Sequence, residues 1–339
     1  ILMTKESAGN TEILFANPNP GDYGAIDRWS IPRSVPGAGS YGVTQSLVDA
    51  FFMENGLSPI LGYENNDYSK PIINPASGYT ETGFSTEPEV RNTGWQECQG
   101  NVNPGQVTMA GAYNMYCHRE ARFYIAVLYN RAWFSKTAEG GRQTMFLKGE
   151  QDGGISMDAP RNGYLQNKLA HPDRDNVNVT FPYRPAVNYR LAEAYLNYAE
   201  ALNECDPGNP DIMKYVNLIR VRAGIPEYGT GAGMITEPQG QEEVRQSIYK
   251  ERRVELCCES SIRYMDIRRL KIGEEILNRD FYGMNYFGSK LSDDKNDPDA
   301  YFVRTRYQTR SFQKKNYWFP VPQSEMDINP NLVQNPFWK

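Results

Sequence analysis

Histidine is almost missing from this chain: its 339 residues contain two, His118 and His171. Neither has a metal-ligand partner at helical spacing, so the sequence carries no zinc signature. With so few candidate bases, Ser–His and Cys–His catalysis lacks its general base, and there is no GxSxG nucleophile elbow. The five cysteines, Cys98, Cys117, Cys205, Cys257 and Cys258, are odd in number and without CxxC spacing. That pattern indicates neither a zinc cluster nor a disulfide framework, and a bridge between the adjacent Cys257 and Cys258 would be strained. No apolar run approaches ~18 residues, so no transmembrane helix is expected. A basic field is missing too. The net charge of -5 and pI near 5.4 argue against a general binder of nucleic acid or of anionic membranes.

What the chain has in quantity is tyrosine, glycine and proline, at 23, 29 and 22 residues, with a mean hydropathy of -0.65. Hydrophobic residues still make up 40%, enough for a real core. The combination predicts much loop-built surface bearing aromatic rings. From Ile1 to about Thr180, turn residues separate short apolar pieces. Glu12–Ala16 reads as a strand, Thr44–Phe52 as a short amphipathic helix capped by Thr44, and Phe123–Tyr129 as a β-prone run. Residues Gly56–Met115 show no sustained period. Loops of that length are commonly functional.

The character changes near Val187. Leu191, Tyr195, Tyr198 and Leu202 recur at helical spacing, with Ala194 and Ala201 on the same side and Glu193, Asn197, Glu200 and Glu204 opposite. Asn209-Pro210-Asp211 supplies a cap, a first-turn proline and an acid for a second helix. Its stripe is Ile212, Tyr215, Val216 and Ile219, and Gly224 and Pro226 stop it. So short a connection makes the two an antiparallel hairpin. A third helix is expected over about Gln241–Lys271. Such hairpins are similar to tetratricopeptide units, which bury their faces by stacking. The predicted fold is mainly α: tetratricopeptide-like helical hairpins with a large loop-rich region containing a few short β-strands. The expected division is a loop-rich ligand-binding region at 1–180, a helical region at 181–272, and an irregular C-terminal region at 273–339 packing back on the helices.

Several segments carry a family resemblance. They are Tyr183-Arg184-Pro185 with Arg190-Leu191-Ala192-Glu193-Ala194-Tyr195, then Asn217–Pro226, Ile248–Leu256, Arg263–Arg269, and above all Phe319–Pro336. Upstream, Thr44–Ala50 and Arg119–Tyr124 also fit. Together they make the chain similar to the C-terminal portion of the SusD/RagB family of outer-membrane lipoproteins from glycan- and peptide-scavenging bacteria. Two departures stand out. The spacing from Glu259 to Arg263 is one residue longer than is common in the family, which suggests a π-bulge or helix break. Phe337-Trp338 replaces the usual Gly-Tyr.

The resemblance implies a non-enzymatic cell-surface protein that captures oligosaccharides. It would deliver them to a TonB-dependent, SusC-like β-barrel transporter, over which it acts as a lid. Oligopeptide capture by the same type of system is the alternative, with a glycoside hydrolase or a ligand-free lid behind it. The family's lipid anchor, at an N-terminal cysteine with no counterpart here, would place the protein on the outward face of the outer membrane. Ile1-Leu2-Met3-Thr4 begins as though cut from something longer.

Sugar rings present apolar faces edged by hydroxyls, so flat aromatics with nearby amides, acids and guanidiniums suit them. The irregular half offers Trp95, Trp29 and Tyr68 first, then Tyr63 and Tyr79, with Asn65, Asp67 and Arg91 as polar partners. A peptide would use a similar surface with more backbone pairing. Other motifs read more plainly. Gly37-Ala38-Gly39-Ser40-Tyr41-Gly42 satisfies GxGxxG but follows Ile31–Pro36, unsuitable for a central strand, so it reads as a mobile turn and no cofactor is expected. Glu251, Glu255 and Glu259, at i, i+4 spacing among Arg252, Arg253 and Arg263, read as an ion-pair network rather than the opposed carboxylates of a glycosidase. Asp293, Asp294, Asp297 and Asp299 lack the EF-hand glycine and glutamate, so a solvated loop is expected rather than a calcium site.

Overall fold

A computed structural model of the chain describes residues 10–19, 21, 24–35, 37–91, 105–134, 142–171, 174, 175, 178, 180–259 and 261–338. The helices are α1 (Gly24–Ser30), α2 (Gln45–Val48), α3 (Ala121–Ala126), α4 (Leu191–Cys205), α5 (Pro210–Ala223), α6 (Gly240–Glu255), α7 (Ile262–Arg269), α8 (Gly273–Ile276) and α9 (Gln323–Ile328). The strands are short. In chain order they are β1 (Ile13–Asn17), β2 (Ile60–Tyr63), β3 (Pro71–Ile73), β4 (Glu89–Val90), β5 (Gln106–Thr108) and β6 (Val127–Leu128). There follow β7 (Trp133–Phe134), β8 (Arg142–Gln143), β9 (Leu165–Gln166), β10 (Ala186–Arg190), β11 (Asp280–Met284) and β12 (Arg304–Thr309). They pair antiparallel as β1–β10, β2–β3, β4–β5, β6–β9, β7–β8 and β11–β12, each pair a separate ladder among the described residues. This is a mainly α fold of tetratricopeptide-like hairpins beside loop-built structure.

Helix α5 forms where its caps dictate. The Asn209 side chain accepts from the Asp211 N–H at 3.0 Å, Pro210 opens the first turn, and Gly224 at φ +75° ends it. Ile212, Met213, Val216 and Ile219 are buried against α4, and α6 closes the other side of α4. The packed face of α4 differs from the expected stripe by one position. Ala192, Leu196, Ala199 and Asn203 are the buried set, while Tyr198 is 46% exposed and Ala201 lies in solvent. The reason is that α4 must serve two partners, α5 and α6. The face between them is therefore chosen by geometry, and tyrosine rings can lean over the rim with their hydroxyls in water. Inside, the Asn203 amide N–H donates to the Gln241 carbonyl at 3.0 Å and the Gln241 side chain donates to the Asn203 carbonyl at 2.9 Å.

Two further expectations shift. Phe123–Ala126 lies in helix α3 and only Val127–Leu128 is strand; Phe123, Tyr124 and Ala126 are buried, and tertiary packing overrides their β propensity. The long third helix is two, α6 and α7, separated by a turn in which Cys258 adopts φ +60°. The extra residue thus produces a break between Glu255 and Ile262.

The larger apolar core belongs to the loop-rich half. Phe51, Tyr116, Phe123, Tyr129, Tyr164, Tyr301 and Phe302 interlock there by edge and stacked contacts. Arg119 is buried among them and donates to the carbonyls of Met115, Val48 and Phe51, pinning the loops from within.

Candidate functional site

The helices and the loops are joined by charge. Arg190, at the β10–α4 junction and only 3% exposed, donates to Glu12 at 2.7 Å, Glu255 at 2.8 Å and Glu259 at 2.6 and 2.8 Å. Lys168 reaches Glu259 at 2.6 Å, while Arg122 bridges Glu120, Glu251 and Glu255 at 2.6, 2.6 and 3.0 Å. Arg220 joins Glu251 from α5 at 3.2 Å. Glu12 also accepts the Ala192 N–H at 3.2 Å, capping α4 from another strand. Although burial alone would raise its pKa, the cations Arg122, Arg190, Arg222 and Lys168 hold the Glu255 carboxyl well below the usual range. Glu251, Glu255 and Glu259 are therefore buried and engaged by arginine or lysine, which disqualifies them as the opposed, solvent-reached carboxylates of a glycosidase.

A different arrangement lies where α2, the β2–β3 turn and β11 meet. Thr44 accepts the Leu47 N–H at 3.3 Å and so starts α2 in a place where Gln45 and Ser46 face β11. The turn from β2 to β3 runs through Asn65 and Asn66, both at positive φ, which asparagine tolerates. This turn folds Tyr68 back onto Tyr63, with ring centroids 4.0 Å apart and 33° between planes. The Arg279 guanidinium lies 3.3 Å from the Tyr68 centroid. Gln45, Ser46, Tyr68, Arg279, Asp280, Phe281 and Tyr282 line a small notch.

Beneath the notch is a rigid polar layer. The Tyr63 hydroxyl donates to Asp49 at 2.7 Å, Gln45 donates to Asp49 at 2.9 Å, and Tyr164 donates to Gln45 at 2.7 Å. Arg304 grips Asp49 at 2.7 and 2.8 Å and Glu81 at 2.5 and 2.9 Å. Burial works to raise the Asp49 pKa, but Arg304 and the three-sided hydrogen bonding lower it overall, so Asp49 stays ionised. Burial and the Asp49 charge push the Tyr63 phenol far up, which fixes it as a donor. The Tyr63–Tyr68 stack thus stands on a foundation with few degrees of freedom.

The predicted site residues divide. Tyr63 and Tyr68 meet at the notch, with Asp67 in the adjoining turn, where it accepts from the Ser69 N–H and hydroxyl at 3.0 and 2.7 Å. Asn65 is exposed at that turn and serves its backbone. Trp29 is 39% exposed and sits edge-on to Tyr41, centroids 4.9 Å apart. The glycine-rich segment explains this pair. The N–H groups of Ser40 and Tyr41 donate to the Trp29 carbonyl at 3.0 and 3.1 Å, so the turn is clamped on α1 rather than mobile. Tyr79 is a correction: it is 5% exposed, packed in the core, and its ring is closed to any ligand. Arg91 is tied to Glu54, Glu89 and the Arg119 carbonyl, lies over Tyr124, and is not among the residues that line the notch. Trp95 lies outside the described residues. Lys290 pairs with Asp297 and Asp299, and Asp293 accepts the Gly83 N–H, so the acidic loop has protein partners of its own.

Arg279, Tyr282, Gln45 and Ser46 escaped the sequence reading. They come from segments more than two hundred residues apart, and no local period marks them.

The sequence profile of the SusD family matches residues 10–338, and the chain belongs to that family. It is 33% identical to the SusD-like protein P2 of Formosa agariphila over 146 residues, 43% of this chain and 24% of that protein. The structure is similar to that of a SusD-like protein from Bacteroides fragilis, with a TM-score of 0.68 and 25% identity, covering 99% of this chain and 56% of that one. A SusD-like carbohydrate binding protein from the same species shares the fold at a TM-score of 0.61 and 22% identity, over 91% of this chain and 51% of that one. The chain thus spans about half the length of these solved structures and a quarter of the curated relative. No described helix is long and apolar enough to cross a membrane.

Proposed function

We propose that the protein is a surface carbohydrate-binding component that holds an oligosaccharide without altering it and passes it to an outer-membrane transporter of the SusC type. The observation that carries the reading is the Tyr63–Tyr68 stack on its buried Asp49–Arg304 foundation. It borders a notch whose wall also carries the Ser46 hydroxyl, the Asp280 carboxylate and the Tyr282 phenol. Aromatic rings edged by hydroxyl and acid groups match the apolar face and hydroxyl rim of a pyranose. A rigid foundation keeps the entropic cost of binding small. Family membership, and the similarity to a carbohydrate-binding relative, point the same way. Anchoring at the outward face of the outer membrane belongs to this proposal as a property of the whole protein.

The Trp29–Tyr41 pair supplies a second aromatic surface. Tyr41 and Gln45 are four residues apart, at most about 14 Å along the chain. Trp95 stays a proposed third platform. The test is calorimetry of an oligosaccharide panel against wild type, Tyr68→Ala and Trp29→Ala. Tyr68→Ala is expected to weaken binding about tenfold, the order of one lost aromatic contact, with the melting temperature nearly unchanged. Unaltered affinity in both variants would remove the notch as the site. Retention of peptides alone would transfer the reading to oligopeptide capture.

A further inference from the structure

The charges around the notch do not cancel as they do elsewhere. The engaged carboxylates nearby are met by other cations: Asp49 and Glu81 share Arg304, Asp280 takes Arg306 at 3.4 Å, and Asp67 takes Lys70 at 3.4 Å. The exposed Glu64 forms no ion pair among the described residues. Three guanidiniums are left over. Arg279 touches only the rings of Tyr68 and Phe281, and no carboxylate lies within ion-pair distance of it among the described residues. Arg310, just past β12, stands over Phe281 at 4.2 Å, and its guanidinium donates to Gln308 with no carboxylate in ion-pair contact among the described residues. Arg253 sits behind the wall. It donates to the Ser46 carbonyl at 2.8 Å and hydroxyl at 3.2 Å, and its buried Nε has no protein acceptor.

These arrangements are costly. Burial lowers the Arg279 pKa to about 10 and lowers that of Arg253 too, and of the neighbours of Arg253 only the Asp49 carboxylate opposes the shift with a full charge. Both stay charged at neutral pH. A partly desolvated guanidinium without an anion loses hydration and gains no Coulomb partner, unlike Arg190 or Arg122 in the helical network. Its fork of N–H donors suits a planar or tetrahedral oxyanion, and the ring of Tyr68 holds that fork flat.

Resting on the carbohydrate reading above, the geometry points to an acidic saccharide as the ligand, one whose carboxylate or sulfate group is taken by Arg279 while its ring lies against the outer edge of the Tyr63–Tyr68 pair. Arg310 adds field at the mouth. Arg253 fixes Ser46 and contributes positive potential from behind. In a chain of net charge -5, such a locally positive notch selects against neutral sugars by leaving Arg279 unsatisfied when they bind.

The experiment is binding of the chain to immobilised oligogalacturonate, oligoalginate and sulfated carrageenan fragments, beside neutral manno-, xylo- and malto-oligosaccharides and a peptide pool. The expected result is retention of an acidic member. Arg279→Gln should weaken it roughly ten- to a hundredfold, the value of a charged hydrogen bond, and Arg279→Lys less. Affinity should also fall as sodium chloride rises. The carboxylated and sulfated arms tell the two sources of the anion apart. Retention of neutral oligosaccharides with Arg279→Gln unchanged would overturn the acidic ligand yet leave the carbohydrate function standing. Retention of peptides alone, or of nothing, would overturn both readings. Acidic binding that ignores Arg279→Gln and Arg279→Lys would place the site elsewhere and equally overturn the inference.

Discussion

The helical stand and the notch handle arginine in opposite ways. In the stand, Arg190, Arg122 and Arg220 are buried against Glu12, Glu120, Glu251, Glu255 and Glu259, each carboxylate with a cation beside it. At the notch, Arg279 is half-buried against Tyr68 with no acid in ion-pair contact among the described residues. A buried charge is tolerable when its partner is built in. Where the partner is left out, stability has been given up for something, and binding is the natural beneficiary. The contrast separates side chains that hold the molecule together from those that wait for another.

The sharpest way to break the comparison is Arg190→Met. It removes the cation shared by Glu12, Glu255 and Glu259, leaving Glu259 to Lys168 and the other two to Arg122 and Arg222, and loss of one member of a buried pair costs about 3–5 kcal/mol. Chemical denaturation should show that loss. A change under about 1 kcal/mol would mean the network is incidental to the fold. Acid probes the same region more gently. Glu255 and Glu259 have carboxyl pKa values depressed by folding, Glu255 strongly. Their stabilisation is present above the unfolded value near 4.5 and is lost as pH falls through and below it. Denaturant midpoints should therefore drop below about pH 4.5, and Glu255→Gln should flatten the slope. The smallest effect is expected at the notch. Arg279→Met, without ligand, should shift stability by less than about 1 kcal/mol in either direction, because the lost ring contact is offset by relief of an unpaired charge. A loss comparable to that of Arg190→Met would make Arg279 structural and erase the distinction.

Much of the stand was legible in the order of residues. The Asn209-Pro210-Asp211 start and Gly224 stop of α5 are local instructions, and they act as read. Glu251, Glu255 and Glu259 do form ion pairs, but not with the arginines that spacing set among them: Arg252 pairs with Asp266, Arg253 donates to Ser46, and the actual partners Arg190, Lys168 and Arg122 come from far along the chain. The face of α4 was less accessible. Periodicity marks a stripe, but whether Tyr198 or Leu196 is inside depends on where α5 and α6 sit. Tyr63 and Tyr68 could be named from composition, yet so could Tyr79, and only packing separates a ring on a shelf from a ring in a core.

Sequence by itself determined the helical hairpin, its caps, the family motifs and the abundance of rings and amides, because each is encoded within a few residues. Tertiary structure decided which rings reach the surface. It also decided that Gln45, Tyr68 and Arg279 share one notch, and that Arg279 enters it without a counter-charge. Those facts depend on distances between segments more than two hundred residues apart, and no local pattern of side chains sets such distances.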